Sequence, residues 1–152
     1  MSEVFKKMNL KAQTEILVLN APESFEAELA ALSGVKVLRD LKSVKAVQFA
    51  LAFVTKQAEV DKLAVAIAKR AEGDALVWFA YPKGTSKKYK CEFNRDTGWA
   101  TFGEMGFETV RLVAIDEDWS AMRFRRVEFI KAMNREDKRA ISAQGKSKLT
   151  KN

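Results

Sequence analysis

The chain has 152 residues, a formal net charge of +7, a single cysteine and no histidine. Its length fits one domain with a real core, since domains commonly hold about 100 to 150 residues. The missing imidazole excludes Ser-His-Asp and Cys-His nucleophilic sites, histidine acid/base work and the commonest transition-metal ligand, while the lone Cys91 excludes an intrachain disulfide and a cysteine-clustered metal site.

The N-terminal MSEVFKKMNLK reads as a short polar lead without the apolar core of a secretory signal. Together with the cysteine count this sets the cytoplasm as the expected compartment. Glu15 to Asn20 (EILVLN) is a compact apolar strand, and Ala21-Pro22-Glu23 turns it into a helix from about Pro22 to Ser33. Pro in the first turn and Gly34 just past the end are the expected punctuation. Phe25, Leu29 and Leu32 give that helix an inward stripe. Val35 to Leu38 forms a second strand ending at Arg39-Asp40, and Lys42 to Lys45 connects it to a third, Ala46 to Val54. The third strand is apolar apart from Gln48, hence central, and as the longest apolar run it is far short of the roughly 20 residues a membrane helix needs. No membrane partner is expected. Thr55 is placed to cap a long helix to about Glu72, with Val60, Leu63, Ala64 and Ile67 toward the sheet and Gly73 ending it.

The next stretch, DALVWFAYPKGTS from Asp74 to Ser86, is the one around which the chain is organised. Ala75 to Tyr81 lacks apolar/polar alternation, as suits a parallel strand covered on both faces, and Pro82 removes the donor that would extend the ladder. The loop Lys83 to Ser86 therefore sits at the strand's carboxyl end, where open α/β sheets bind ligands. KKYKCEFNR carries no clear element signal; beyond it Asp96 or Asn94 caps a helix through Trp99, Phe102 and Met105 that ends at Gly106. Phe107 to Ile115 is a further strand, and Ala121 to about Phe129 a last one, with Met122 and Phe124 alternating with Arg123 and Arg125. The connection Asp116 to Ser120 is short enough to permit only antiparallel pairing. From Lys131 the chain is polar and aperiodic, which predicts a disordered basic tail over 132–152 behind a domain over 9–131.

This order describes an α/β, doubly wound, mostly parallel Rossmann-like sheet of about six strands with one antiparallel strand at its end. It resembles the fold of S-adenosylmethionine-dependent methyltransferases with one helix and strand missing after the second strand. The motifs VLNAPESFE, WFAYPKGTS and AIDEDWSAMRFRRV are similar to those of a bacterial family of short, degenerate, methyltransferase-like domains without an assigned activity. The resemblance covers about Asn9 to Lys131 and implies a fold, not a reaction.

The candidate site residues follow from that architecture. In the first βα turn, Asn20-Ala21-Pro22-Glu23-Ser24, a dinucleotide-binding domain would carry glycines so that backbone can approach a pyrophosphate. Here there is none, Pro22 removes a donor, and Glu23 and Glu26 put negative charge where a phosphate would lie. S-adenosylmethionine carries no phosphate, but the turn still crowds it, so that cofactor is possible and disfavoured, and no other is expected. Asp40 stands where such folds place an acid on ribose hydroxyls; the plainer reading is a turn residue or helix cap. Lys83, Thr85 and Ser86, with Gly84 admitting backbone amides, form a candidate site for a small anion, although Tyr81-Pro82-Lys83-Gly84 also satisfies a plain type I turn. Asp116, Glu117 and Asp118 belong at the same edge, either as a polar pocket with Trp119 as its apolar wall or as a salt-bridged clamp between two loops.

No catalytic and no metal-ligating set is identified. Cys91, among Lys87, Lys88 and Lys90, is either a reactive thiol or an ordinary one. Residues 123–152 carry ten Lys/Arg against three Asp/Glu, while residues 1–122 carry 17 of each. Arg123, Arg125, Arg126 and the tail can thus contact phosphate backbones weakly and without sequence preference, or simply be solvated. The sequence supports a non-catalytic binding or interaction module with an anionic small molecule or a protein as partner. The alternatives are a small-molecule or S-adenosylmethionine-dependent enzyme with an atypical first loop, and a nucleic-acid-associated protein working through its basic end.

Overall fold

In the computed structural model, which describes residues 2–94 and 97–130, one sheet is built from β1 (Glu15–Leu19), β2 (Lys36–Leu38), β3 (Val47–Phe53), β4 (Ala71–Pro82), β5 (Phe107–Ala114) and β6 (Trp119–Arg126). Its order is β2-β1-β3-β4-β6-β5. The first four strands pair in parallel, and β6 is antiparallel to both β4 and β5, so β5 points the same way as β1 to β4. The antiparallel strand expected at the end of the sheet is thus last in sequence but one place in from the edge. The hairpin from Ile115 to Trp119 forces β6 to lie against β5, and α4 (Ala100–Glu104) delivers β5 one strand-width beyond β4, leaving the gap that β6 fills.

Strand alternation sorts the core into two layers. Leu17 and Leu19 of β1, Ala50 and Ala52 of β3, Val77 and Phe79 of β4, and Met122 and Phe124 of β6 face one side. There they meet Val60, Ala64 and Ile67 of α3 (Gln57–Arg70) and Phe102 of α4. Ile16, Val18, Phe49, Leu51, Phe53 and Trp78 face the other, against Phe25 and Leu29 from a one-turn 3-10 helix (Glu23–Phe25) running into α2 (Glu26–Ala30). Both faces of the central strands are covered, which is why their sequences are continuous apolar runs.

Several local expectations are corrected. The N-terminal segment is not a polar lead: Glu3–Lys7 form α1, whose Val4 and Phe5, followed by Met8 and Leu10, are buried under the sheet, and the buried indole N–H of Trp78 donates to the Met8 carbonyl at 3.1 Å. Only four apolar side chains among eight residues make that contact, too few to stand out as periodicity. At the start of α3 it is not Thr55 but Glu59 that satisfies the helix end, its carboxylate accepting from the backbone N–H of Thr55 at 2.9 Å and of Lys56 at 3.1 Å. The helix ends at Arg70, and Gly73, with φ +54°, lies in an exposed excursion of β4 between residues paired to Val47 and to Phe49. The stretch after β4 packs on α3: Glu92 N–H donates to Thr55 O at 3.1 Å, and Phe93 is buried. Gly98, φ +89°, has room for no Cβ, because one would stand 2.8 Å from Phe93 Cβ. Asn94 closes a turn with Thr97 instead of capping α4, whose cap is Trp99. Asp96, and the tail from residue 131 on, lie outside the described residues.

Candidate functional site

β1 has β2 on one flank and β3 on the other, so the crossovers leave in opposite directions and the topological switch point opens between the carboxyl ends of β1 and β3. Asn20 closes it. The residue adopts φ +58°, a left-handed conformation that asparagine tolerates better than most, and its Nδ2 reaches Phe53 O across the gap at 3.5 Å. The backbone thus takes the shape a glycine would give, while a side chain occupies the space a glycine would leave. On the α2 side of the sheet runs a row of rings: Phe25 to Phe53 at 5.0 Å, Phe53 to Trp119 at 5.1 Å edge-on, and Trp119 to Tyr89 at 4.9 Å. Phe25 and Phe53 are each 2% exposed and Trp119 4%. Aromatic side chains fill this end of the sheet on the α2 side.

Glu23 lies exposed in the 3-10 turn after Asn20. Asp40 accepts from Lys42 N–H at 2.9 Å and caps a 3-10 turn over Leu41–Ser43, so the plainer of its two readings describes what its carboxylate does here. Nearby, Arg39 makes a bidentate pair with Glu26 at 2.7 and 3.0 Å; the hydrogen bonds from Arg39 hold the Glu26 carboxyl below its usual range, and those to Glu26 raise the Arg39 guanidinium.

The YPKGTS and DEDW loops are neighbours at the carboxyl edge. Lys83 N–H donates to Asp118 O at 2.7 Å, and Ser86 Oγ donates to Asp118 Oδ1 at 2.8 Å while accepting from Tyr89 N–H at 3.1 Å. Asp116 Oδ1 accepts from the N–H groups of Asp118 and Trp119 at 2.8 and 2.9 Å, setting the hairpin turn. The clamp is therefore made by backbone and hydroxyl and not by the expected salt bridge; among the described residues no ion pair involves Lys83. What remains beside it is an open depression of about 390 Å³ lined by Tyr81, Lys83, Gly84, Thr85, Asn94 and Ser120. Ser86, Asp116 and Asp118 do not line it. Trp119, expected as its apolar wall, faces the opposite side of the sheet, because Tyr81 and Trp119 belong to the two different core layers. Burial, the largest effect, pushes the Cys91 thiol above its usual value despite the lysines around it. Among the described residues no group of His, Cys, Asp and Glu could hold a metal ion.

Asn94 and Ser120 were not legible as lining residues, since one sits in the unassigned stretch and the other is a strand residue opposite Tyr81. The ring row had a signal, the spacing Phe49-Leu51-Phe53, that places Phe53 on the α2 face.

The strand order, with an antiparallel strand inserted beside the last parallel one, defines a methyltransferase-like Rossmann fold. Solved structures agree. The chain superposes on a possible exported protein from Bordetella parapertussis with a TM-score of 0.56 and 9% identity, over 81% of this chain and 65% of that one, so it spans just under two thirds of that neighbour's length. It superposes on a SAM-dependent methyltransferase from Aquifex aeolicus with a TM-score of 0.52 and 15% identity, over 81% and 87% of the two chains. The N-methyltransferase NodS from Bradyrhizobium japonicum gives 0.52 and 11%, over 82% and 92%. At these identities the likeness is one of fold. No family model and no curated protein matches the sequence. Among the described residues no helix is long and apolar enough to cross a membrane.

Proposed function

We propose that the protein is a non-catalytic binding module on a methyltransferase-like fold, working in the cytoplasm, whose ligand is a small anion held at the Lys83 loop. The observation that carries this reading is the glycine-free switch point: Asn20, at φ +58°, holds its side chain across it toward Phe53 O at 3.5 Å, and the Phe25, Phe53 and Trp119 rings pack the α2 side of the sheet. A cofactor seated there would have to displace the Asn20 side chain. The open half of the edge instead offers one cation, Lys83, two hydroxyls, Thr85 and Ser120, and the unencumbered backbone of Gly84, beside which a Cβ would meet nothing within 4 Å. An anion needs such donors and little else. The VLNAPESFE, WFAYPKGTS and AIDEDWSAMRFRRV motifs fit the same picture, that of a short bacterial family with a degenerate methyltransferase-like domain.

The test is a thermal-shift and calorimetric panel of S-adenosylmethionine, its demethylated product, adenine nucleotides and simple carboxylates and phosphates. A ligand selective for the native state raises the melting temperature by mass action. S-adenosylmethionine is expected to give no shift, and an anion to give one that Lys83→Ala abolishes. Micromolar S-adenosylmethionine binding that Asp40→Ala weakens would replace this reading with the enzyme one.

A further inference from the structure

The arginines of β6 do not act together. Arg126 lies on the α3 side, its guanidinium 4.8 Å from the Phe107 ring and donating to Ala68 O and Ala71 O at 3.1 and 2.9 Å; it is a strut. Arg123 and Arg125 face the opposite side with Trp119 and Ala121, and there the ladder sets Arg111 of β5 directly across from Arg123. Like charges directly opposite in an antiparallel pair repel, and a chain selected only for stability would place an acid or a neutral residue at one of the two positions. The acids on this side are otherwise engaged. Asp74 is held bidentately by Arg125 at 2.6 and 2.8 Å, and Glu108 stands opposite Arg125, with interactions of its own. Among the described residues neither Arg111 nor Arg123 has an ion-pair partner. The Arg123 Nε–H is moreover buried without any acceptor, although such a donor ordinarily finds one.

We propose that Arg111 and Arg123, backed by Arg125, form a binding site for a phosphate-class oxyanion, separate from the Lys83 depression. Two arginines opposite each other in the ladder and outside any ion pair among the described residues suit a tetrahedral anion that presents several oxygens at once. Burial first, then the neighbouring Arg125 and Arg111 charges, disfavour the charged form of Arg123 while Asp74 favours it; an incoming anion would favour it further.

The test follows the arginine Nε–Hε resonances of the full chain by NMR during titration with inorganic phosphate, and with sodium nitrate at matched ionic strength. The Arg123 signal is expected to move saturably with phosphate and not with nitrate, while that of Arg39, already paired with Glu26, stays still. Arg111→Glu, at an exposed position, should weaken phosphate binding at least tenfold with the fold intact, and Arg123→Lys should do the same if the fork geometry matters. An unmoved Arg123 signal, an equal response to nitrate, or phosphate affinity unchanged in Arg111→Glu overturns the site. A single-stranded oligonucleotide that moves Arg123 where phosphate does not would overturn it in favour of a nucleic-acid surface.

Discussion

At the carboxyl edge of the sheet the α2 side is dry, packed with the buried Phe25, Phe53 and Trp119 rings; the other side, over β4 and β6, is wet, with the Lys83, Gly84 and Thr85 loop beside an open depression. Both halves have the strand polarity that makes this edge a ligand site in open α/β sheets. What differs is side-chain volume and the polarity of the loop that each strand feeds. A fold thus fixes where a crevice can be, and a handful of residues decide whether it stays open, so likeness of sheet order to methyltransferases carries no site with it.

That contrast breaks most visibly at Phe53. Phe53→Ala should cost about 3–5 kcal/mol, the usual range for a buried ring, because Phe25 and Trp119 both lose a partner; urea denaturation measures it, and a loss near zero would mean the dry half collapses freely. A smaller effect separates two changes at the switch point. Asn20→Val puts a β-branched residue at φ +58° and should cost about 1–3 kcal/mol, whereas Asn20→Gly should stay within about 1 kcal/mol of the parent and still show no heat with S-adenosylmethionine, since the rings remain. The smallest effect belongs to the wet half. Ser86→Ala removes the hydroxyl that donates to Asp118 and should cost about 1 kcal/mol. Its clearer signature is faster hydrogen exchange at the Lys83 amide, which is bonded to Asp118 O; unchanged exchange would show that backbone pairing alone holds the loops.

Much of this architecture was legible because the strands are extreme in composition. EILVL, VQFALAF and ALVWFAY are buried on both faces and announce themselves as apolar runs, and the short turn at Asp116 to Ser120 fixed the last pairing. The proximity of the YPKGTS and DEDW loops followed from strand direction alone. Orientation normal to the sheet was harder. Trp119 and Tyr81 are one ladder position apart and point to opposite faces, a difference set by register that composition does not encode. The α1 contact was hidden because it rests on Val4, Phe5, Met8 and Leu10, and the role of Asn94 because its loop has no period at all.

The insertion of β6 between β4 and β5 also makes β4 depend on the hairpin for its second ladder. On the side away from β3, Val77 to Pro82 of β4 find their ladder partners in Phe124 to Trp119, and β5 joins the sheet ladder through β6. The parallel half, β2-β1-β3-β4 with α1 and α3, can therefore collapse while its outer strand still presents an unsatisfied row of N–H and C=O groups. Such long-range pairing is slow, and an open apolar edge is the place where a nascent chain associates with its neighbours. Until the β5–β6 hairpin docks, the outer edge of β4 is an open strand edge, the feature through which chains pair with their neighbours.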